Sequence, residues 1–144
     1  MYNTKIENIT KHIISVRSQE DSYRRVIISS DYKTKKNYID FFVANYKESD
    51  GKEIIEYLSK NEPVNLIQDT SYPYDQFAIA VYDRDMIKLG YVPNIISSLI
   101  SYKMDDKNHK VNAVIKKVKL DAHDECKIEI RVFVDKIKKL IDWL

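Results

Sequence analysis

Ser71-Tyr72-Pro73-Tyr74-Asp75-Gln76-Phe77-Ala78-Ile79-Ala80-Val81-Tyr82, followed by Leu89-Gly90-Tyr91-Val92-Pro93-Asn94, decides the fold. The first block reads as a turn and then a strand. Pro73 fixes the backbone in the turn, with Tyr72 and Tyr74 on either side and Asp75 next. The run from Phe77 to Tyr82 alternates alanine with larger apolar residues, which suits the crowded interior of a small barrel. The second block reads as a strand that ends at Pro93-Asn94, where a helix begins. Gly90, one of only two glycines, lies inside it. A polar, aromatic turn at a fixed place before an apolar strand is how a small β-barrel presents a binding loop.

Outward from this block, residues 39–46 (Ile-Asp-Phe-Phe-Val-Ala-Asn-Tyr) and 64–68 (Val-Asn-Leu-Ile-Gln) are rich in strand formers. Between them, Ile54, Ile55 and Leu58 predict a short helix over 52–59, stopped at Asn61-Glu62-Pro63. A helix over 95–104 follows from Ile95, Ile96, Leu99 and Ile100. Residues 110–119 and 126–134 predict two long strands joined by a hairpin loop over 121–125. In the second strand Cys126, Ile128, Ile130, Val132 and Val134 alternate with Lys127, Glu129, Arg131 and Phe133. Upstream, residues 24–29 read as a strand, and 31–38 as a basic connection into the main domain. Ile6, Ile9, Ile13 and Val16 recur at helical spacing over 4–18, with Thr4 and Glu7 as a capping box. Val134, Ile137, Leu140, Ile141 and Leu144 give the same pattern over 135–144. The two terminal helices either cover an open barrel or form a dimer contact.

Composition sets the bounds. Hydrophobic residues at 44% and charged residues at 32% are a globular balance rather than a disordered one. A chain of 144 residues makes one domain with a sizeable core. The single cysteine, Cys126, excludes an internal disulfide and fits a reducing, cytoplasmic setting. No apolar run is long enough to span a bilayer, so no membrane association is expected. A net charge of +2 does not by itself demand a nucleic-acid partner. Eleven tyrosines supply strand formers and stacking faces alike, although an AT-rich coding genome also raises Tyr, Lys, Ile and Asn.

Catalytic signatures do not emerge. His109, His123 and Cys126 fall short of a zinc ligand set, and two isolated glycines cannot build a phosphate loop. Asp83-Arg84-Asp85 reads as a salt-bridged turn rather than an acid–base pair. The reading calls for no enzyme activity, no metal and no cofactor.

With these residues in view, the chain resembles the HIRAN family over about 40–134. The resemblance rests on Val43 to Gly51, Tyr72-Pro73-Tyr74-Asp75, Ala78-Ile79-Ala80-Val81 and Leu89-Gly90-Tyr91-Val92-Pro93. It implies a mainly β (α+β) fold: a small six-stranded barrel, similar to other oligonucleotide-binding barrels, with two short helices. Residues 1–39 would be an N-terminal helical and strand extension, 40–134 the barrel, and 135–144 a C-terminal helix. In DNA-remodelling helicases such a domain holds a single-stranded DNA end by its free 3′ hydroxyl.

Carried over, the family's end-binding residues are Tyr74 and Asp75 in the turn and the basic Lys47. Tyr72 replaces the asparagine before the turn proline, Tyr91 a histidine, and Asn94 a basic residue. Glu48 and Ser49 stand where the family pairs tyrosines. The candidate nucleic-acid-binding set is therefore Lys47, Tyr72, Tyr74, Asp75, Tyr91 and Asn94. Tyr46 is a further candidate ring at the barrel mouth, and the Lys- and Tyr-rich stretches at 32–38 and 103–119 could extend a single-strand track. The expected partner is single-stranded DNA or a DNA end, in a DNA-repair setting beside a helicase or nuclease, with the chain a monomer or weak dimer. The rival reading is a protein–protein interaction domain that keeps the barrel and has lost the DNA pocket; Glu48 and Asn94 favour it.

Overall fold

The computed structural model describes residues 9–14, 25–31, 36–107 and 110–134, the first of these by backbone alone. Among these residues eight strands form one sheet: β1 (Ile9–Ile14), β2 (Val26–Asp31), β3 (Lys36–Phe42), β4 (Pro63–Gln68), β5 (Ile79–Tyr82), β6 (Lys88–Tyr91), β7 (Asn112–Val118) and β8 (Ile128–Val134). Their order is β1-β2-β3-β8-β7-β4-β5-β6, and every neighbouring pair is antiparallel. Among the described residues the single α-helix is α1 (Asn94–Asp105).

The sheet curls until its last strand meets the backbone just beyond β3. There the Ala44 amide donates to the Tyr91 carbonyl at 2.8 Å, and the Tyr91 amide returns a bond to the Ala44 carbonyl at 2.8 Å. Gly90 makes this seam possible. Its φ is +147°, and a Cβ at this position would lie 2.3 Å from the Ala44 oxygen and 2.5 Å from Val43 Cγ1. A side chain there would hold β6 away from Ala44.

From Ile128 onward the alternation read in β8 is the alternation observed, whereas Cys126, expected to open the strand, ends a 3-10 turn over Asp124–Cys126. Ile128, Ile130, Val132 and Val134 are buried, and they meet Ile39 and Phe41 of β3 and Ile115 of β7 in one core. Burying each such side chain contributes about 1.5–3 kcal/mol. Helix α1 adds Ile96, Leu99 and Ile100, a stripe at spacings of three and four. Pro93 precedes it, and its carbonyl accepts from the Ile96 amide at 3.1 Å. On β4, Gln68 donates to the Ser101 hydroxyl at 2.7 Å and to Asp105 at 3.1 Å, which ties α1 to the sheet.

On the other face of β3, β8 and β7 lies a charged cluster. Asp40 is only 2% exposed. It accepts from Arg131 Nε at 2.8 Å, from a second guanidinium nitrogen at 2.9 Å, and from Lys116 Nζ at 2.9 Å. Lys116 sits in a register break between Ile115 and Lys117, a bulge that re-aims it across β8 toward Asp40. Lys116 also approaches Glu129 at 3.5 Å. Burial pushes the Asp40 carboxyl up, but Arg131 and Lys116 together outweigh this and hold it below the usual carboxylate range. The Arg131 guanidinium lies 4.7 Å from the centre of the Tyr38 ring, and Tyr38 meets Phe133 edge-on at 5.4 Å.

Several expectations are corrected. The six strands expected in the barrel are β3 to β8, but among the described residues the sheet runs to eight, because β1 and β2 join it rather than standing apart as an extension. Within the helix expected over 4–18, residues 9–14 are a strand paired with β2; the remainder lies outside the described residues. The short helix over 52–59 is instead a series of 3-10 turns at Tyr46–Glu48, Asp50–Glu53 and Ile55–Tyr57. Ile55 is buried and Ile54 and Leu58 pack on the core, so the apolar spacing is used without an α-helix. The connection over 31–38 shortens, since β2 runs to Asp31 and β3 begins at Lys36. The C-terminal helix over 135–144 lies outside the described residues. No helix among the described residues is long and apolar enough to cross a membrane.

Candidate functional site

The connection from β4 to β5 is built by its own aspartates. Asp69 Oδ1 accepts from the Ser71 amide at 3.1 Å and from the Ser71 hydroxyl at 2.6 Å. Six residues on, Asp75 Oδ1 accepts from the Phe77 amide at 2.8 Å. Both are side-chain-to-backbone turns of the kind Asp forms at i and i+2. Between them Tyr72-Pro73-Tyr74 projects from the sheet. Asp75 Oδ2 then accepts from the Ser97 hydroxyl in the first turns of α1 at 2.5 Å. The loop is thus fixed at both aspartates before any ligand arrives.

This loop forms one wall of a cleft of about 220 Å³. The β3 end supplies Phe42, Ala44 and Asn45; the β6 end and start of α1 supply Tyr91, Val92, Pro93 and Asn94. Tyr72, Tyr74, Asp75, Ala78 and Glu125 complete it. Five of the six candidate residues, Tyr72, Tyr74, Asp75, Tyr91 and Asn94, therefore meet in one place. Lys47 does not line the cleft; it is exposed on the turn Tyr46–Glu48. Tyr46 is buried in the core at 3% exposure, so it offers no stacking face. Burial, with Asp124 nearby, pushes its phenol up.

Three rings run in series. Tyr72 and Tyr91 have centroids 4.6 Å apart at 37°, and Tyr72 meets Tyr74 edge-on at 5.6 Å. The Tyr91 hydroxyl donates to Asp69 Oδ2 at 2.6 Å and accepts from Lys88 Nζ at 2.6 Å. Lys88 Nζ also lies 4.2 Å from the Tyr91 ring centre. Burial, then the bond to Asp69, raises the Tyr91 phenol far above its ordinary value. The Ser71 hydroxyl first, then Tyr91, holds Asp69 below the usual range. Packed by Tyr72 and Lys88, Tyr91 is a wall rather than an offered ring. The Tyr72 hydroxyl accepts from Asn45 Nδ2 at 3.1 Å. Tyr74, at 83% exposure, is the ring open to solvent.

Beyond the Tyr72–Tyr91 wall is a second depression of about 320 Å³, lined also by Asn45, Glu48, Ser49, Lys88 and Gly90. Glu48 and Lys88 both line this depression. Sequence reasoning missed Asn45, Asp69, Lys88 and Glu125. Asn45 stands at φ 58°, a left-handed position that Asn tolerates, but that conformation leaves little trace in a strand-like run. Glu125 belongs to the hairpin loop of β7 and β8, and only tertiary folding brings it to the cleft. Among the described residues, those lining the main cleft include two carboxylates, Asp75 and Glu125, and no Lys or Arg.

Elsewhere, Asp83 accepts from the amides of Asp85 at 2.9 Å and Ile87 at 2.8 Å, so it shapes its own turn. Arg84 reaches Glu62 only at 4.0 Å. Cys126 is half-buried, and burial, then Glu125, pushes its thiol up. Among the described residues no His, Cys, Asp and Glu cluster could hold a metal ion.

Solved structures give the same architecture. The HIRAN domain of human HLTF superposes with a TM-score of 0.51 at 17% identity, covering 72% of this chain and 81% of that one. A protein from Lactobacillus plantarum gives 0.54 at 13% identity, covering 87% of this chain and 97% of that one. Curated protein sequences yield no match. The HIRAN domain model matches residues 36–136, a span from the start of β3 past the end of β8 that includes strands β3 to β8 of the sheet, α1 and the cleft, and the chain belongs to the HIRAN domain family.

Proposed function

We propose that this chain is a noncatalytic DNA-binding module that holds a single-stranded 3′ end in the cleft beside Tyr74. The observation that carries this reading is the meeting of Tyr72, Tyr74, Asp75, Tyr91 and Asn94 around one cleft, with the Tyr74 ring exposed. A volume of about 220 Å³ lies below that of drug-sized pockets and suits one terminal nucleoside rather than a longer stretch. Tyr74 stacks on the terminal base, an interaction of about 1–3 kcal/mol. Asp75, already braced by Phe77 and Ser97, accepts from the sugar hydroxyl and repels a terminal phosphate. Tyr72 and Tyr91 form the back wall. Lys47 meets a backbone phosphate outside the cleft. The positive end of α1 opens at Pro93 and Asn94, which offsets part of the charge of the carboxylates. A helicase or nuclease is the kind of partner such an end-binder would serve.

A second reading has one observation in its favour: among the described residues no Lys or Arg lines the cleft, so a protein ligand, not a polyanion, would fill it. One titration separates the two. A fluorescent single-stranded oligonucleotide is titrated at low salt with a free 3′ hydroxyl and with a 3′ phosphate. End recognition predicts about tenfold or greater weakening on phosphorylation, and a loss of affinity on Asp75→Ala. Absence of binding at low salt, where phosphate contacts are strongest, leaves the interaction module as the better account.

A further inference from the structure

Glu125 has no role in the reading above, yet it is the cleft's uncommitted carboxylate. Asp75 has both oxygens engaged, Oδ1 by the Phe77 amide and Oδ2 by the Ser97 hydroxyl. Glu125 has one oxygen, Oε2, held loosely by the Asn45 amide at 3.3 Å. That bond fastens Glu125 to the β3 end, while Asp75 is fastened to α1. The two carboxylates therefore stand on different walls of the same cleft, and each has a different reach into it.

We infer that Glu125 reads the base of the terminal nucleotide, selecting bases that present amino donors, guanine foremost, over thymine. The inference rests on the DNA-end reading of the cleft. With the base stacked on Tyr74 and the sugar hydroxyl at Asp75, the edge of the base is the part left to face another wall. An ionised carboxylate only accepts hydrogen bonds. Guanine offers two adjacent donors, N1–H and the exocyclic amine, which match two carboxylate oxygens. Adenine and cytosine offer one exocyclic amine beside a ring acceptor. Thymine flanks its single N–H with two carbonyl oxygens, and both oppose Glu125. Carboxylate-to-amine pairing of this kind discriminates between bases at about 1–3 kcal/mol per good pair, or roughly five- to 150-fold. Among the described residues lining the cleft, no Lys or Arg competes for Glu125.

The test uses the full chain and four oligonucleotides identical except for the 3′-terminal base, each with a free hydroxyl, titrated against wild type and Glu125→Gln. Wild type is expected to bind the dG end about fivefold or more tightly than the dT end, with dA and dC between. Glu125→Gln carries a donor as well as an acceptor, and is expected to bring the dG and dT ends to within about twofold. A thermal melt of the variant establishes that it is folded. Four equal affinities in wild type overturn the assignment while leaving end binding intact. A preference that survives in Glu125→Gln also overturns it, since another group would then be reading the base. No binding of any oligonucleotide removes the DNA-end reading itself, and this inference with it.

Discussion

The outer face of β3, β8 and β7 and the cleft at the end of the curl are both polar, but they handle their polar groups differently. On the outer face the charges answer one another: Asp40 receives Arg131 and Lys116, Lys116 also nears Glu129, and Arg131 lies over Tyr38. At the cleft the polar groups are fixed but not used up. Asp75 is braced by backbone and by Ser97, Glu125 keeps acceptor capacity, and Tyr74 stands in solvent. A buried charge with all its partners on the same chain serves the fold. Groups held in place with capacity to spare are suited to a ligand.

Four substitutions probe this contrast. Gly90→Ala strikes hardest, because it places a Cβ against the Ala44 carbonyl at a φ unsuited to alanine. A loss of roughly 3–5 kcal/mol in urea denaturation is expected, with DNA binding lost alongside as the cleft walls part. Stability equal to wild type would show that the seam can relax. Asp40→Asn comes next. It leaves Arg131 and Lys116 facing each other without their anion, at a cost of about 2–4 kcal/mol, discounted because both cations are about a third exposed. Oligonucleotide affinity should not change.

The same residue sets an acid limb. The folded Asp40 pKa lies below its unfolded value, so its contribution is present above about pH 4 and is lost as pH falls through the folded pKa. Wild-type stability should therefore fall more steeply below about pH 4 than that of Asp40→Asn; parallel curves would count against the ion cluster. Tyr74→Ala inverts the pattern: stability within about 0.5 kcal/mol of wild type, since the ring is exposed, and DNA affinity lower by about 1–3 kcal/mol. Ser97→Ala is the mildest. It removes one brace from Asp75 at about 1 kcal/mol, read by thermal melting, and should weaken the 3′ hydroxyl preference without abolishing it.

What the sequence made legible follows from which periods are unambiguous. Ile128, Ile130 and Val132 repeat only at two, and Ile96, Leu99 and Ile100 only at three and four, so β8 and α1 were read correctly. Ile9 and Ile13 are four apart, which satisfies a helix and equally places two residues on one face of a strand. That double meaning misdirected the reading of β1. At the site, the turn chemistry of Tyr72 to Asp75 and the Gly90-Tyr91 strand end were local signals, and they converged as expected. Lys88 and Glu125 carried none. Lys88 acts through a phenol three residues on, and Glu125 arrives from a hairpin 50 residues beyond Asp75 in sequence.

The seam at Ala44 and Tyr91 gives the cleft a built-in gauge. Both residues whose amides latch the curled sheet also line the cavity, so its width and the latch move together. Deuterium uptake at those two amides should slow when a ligand seats against both walls, and the slowing would distinguish an occupant of the cavity from one that merely coats the exterior.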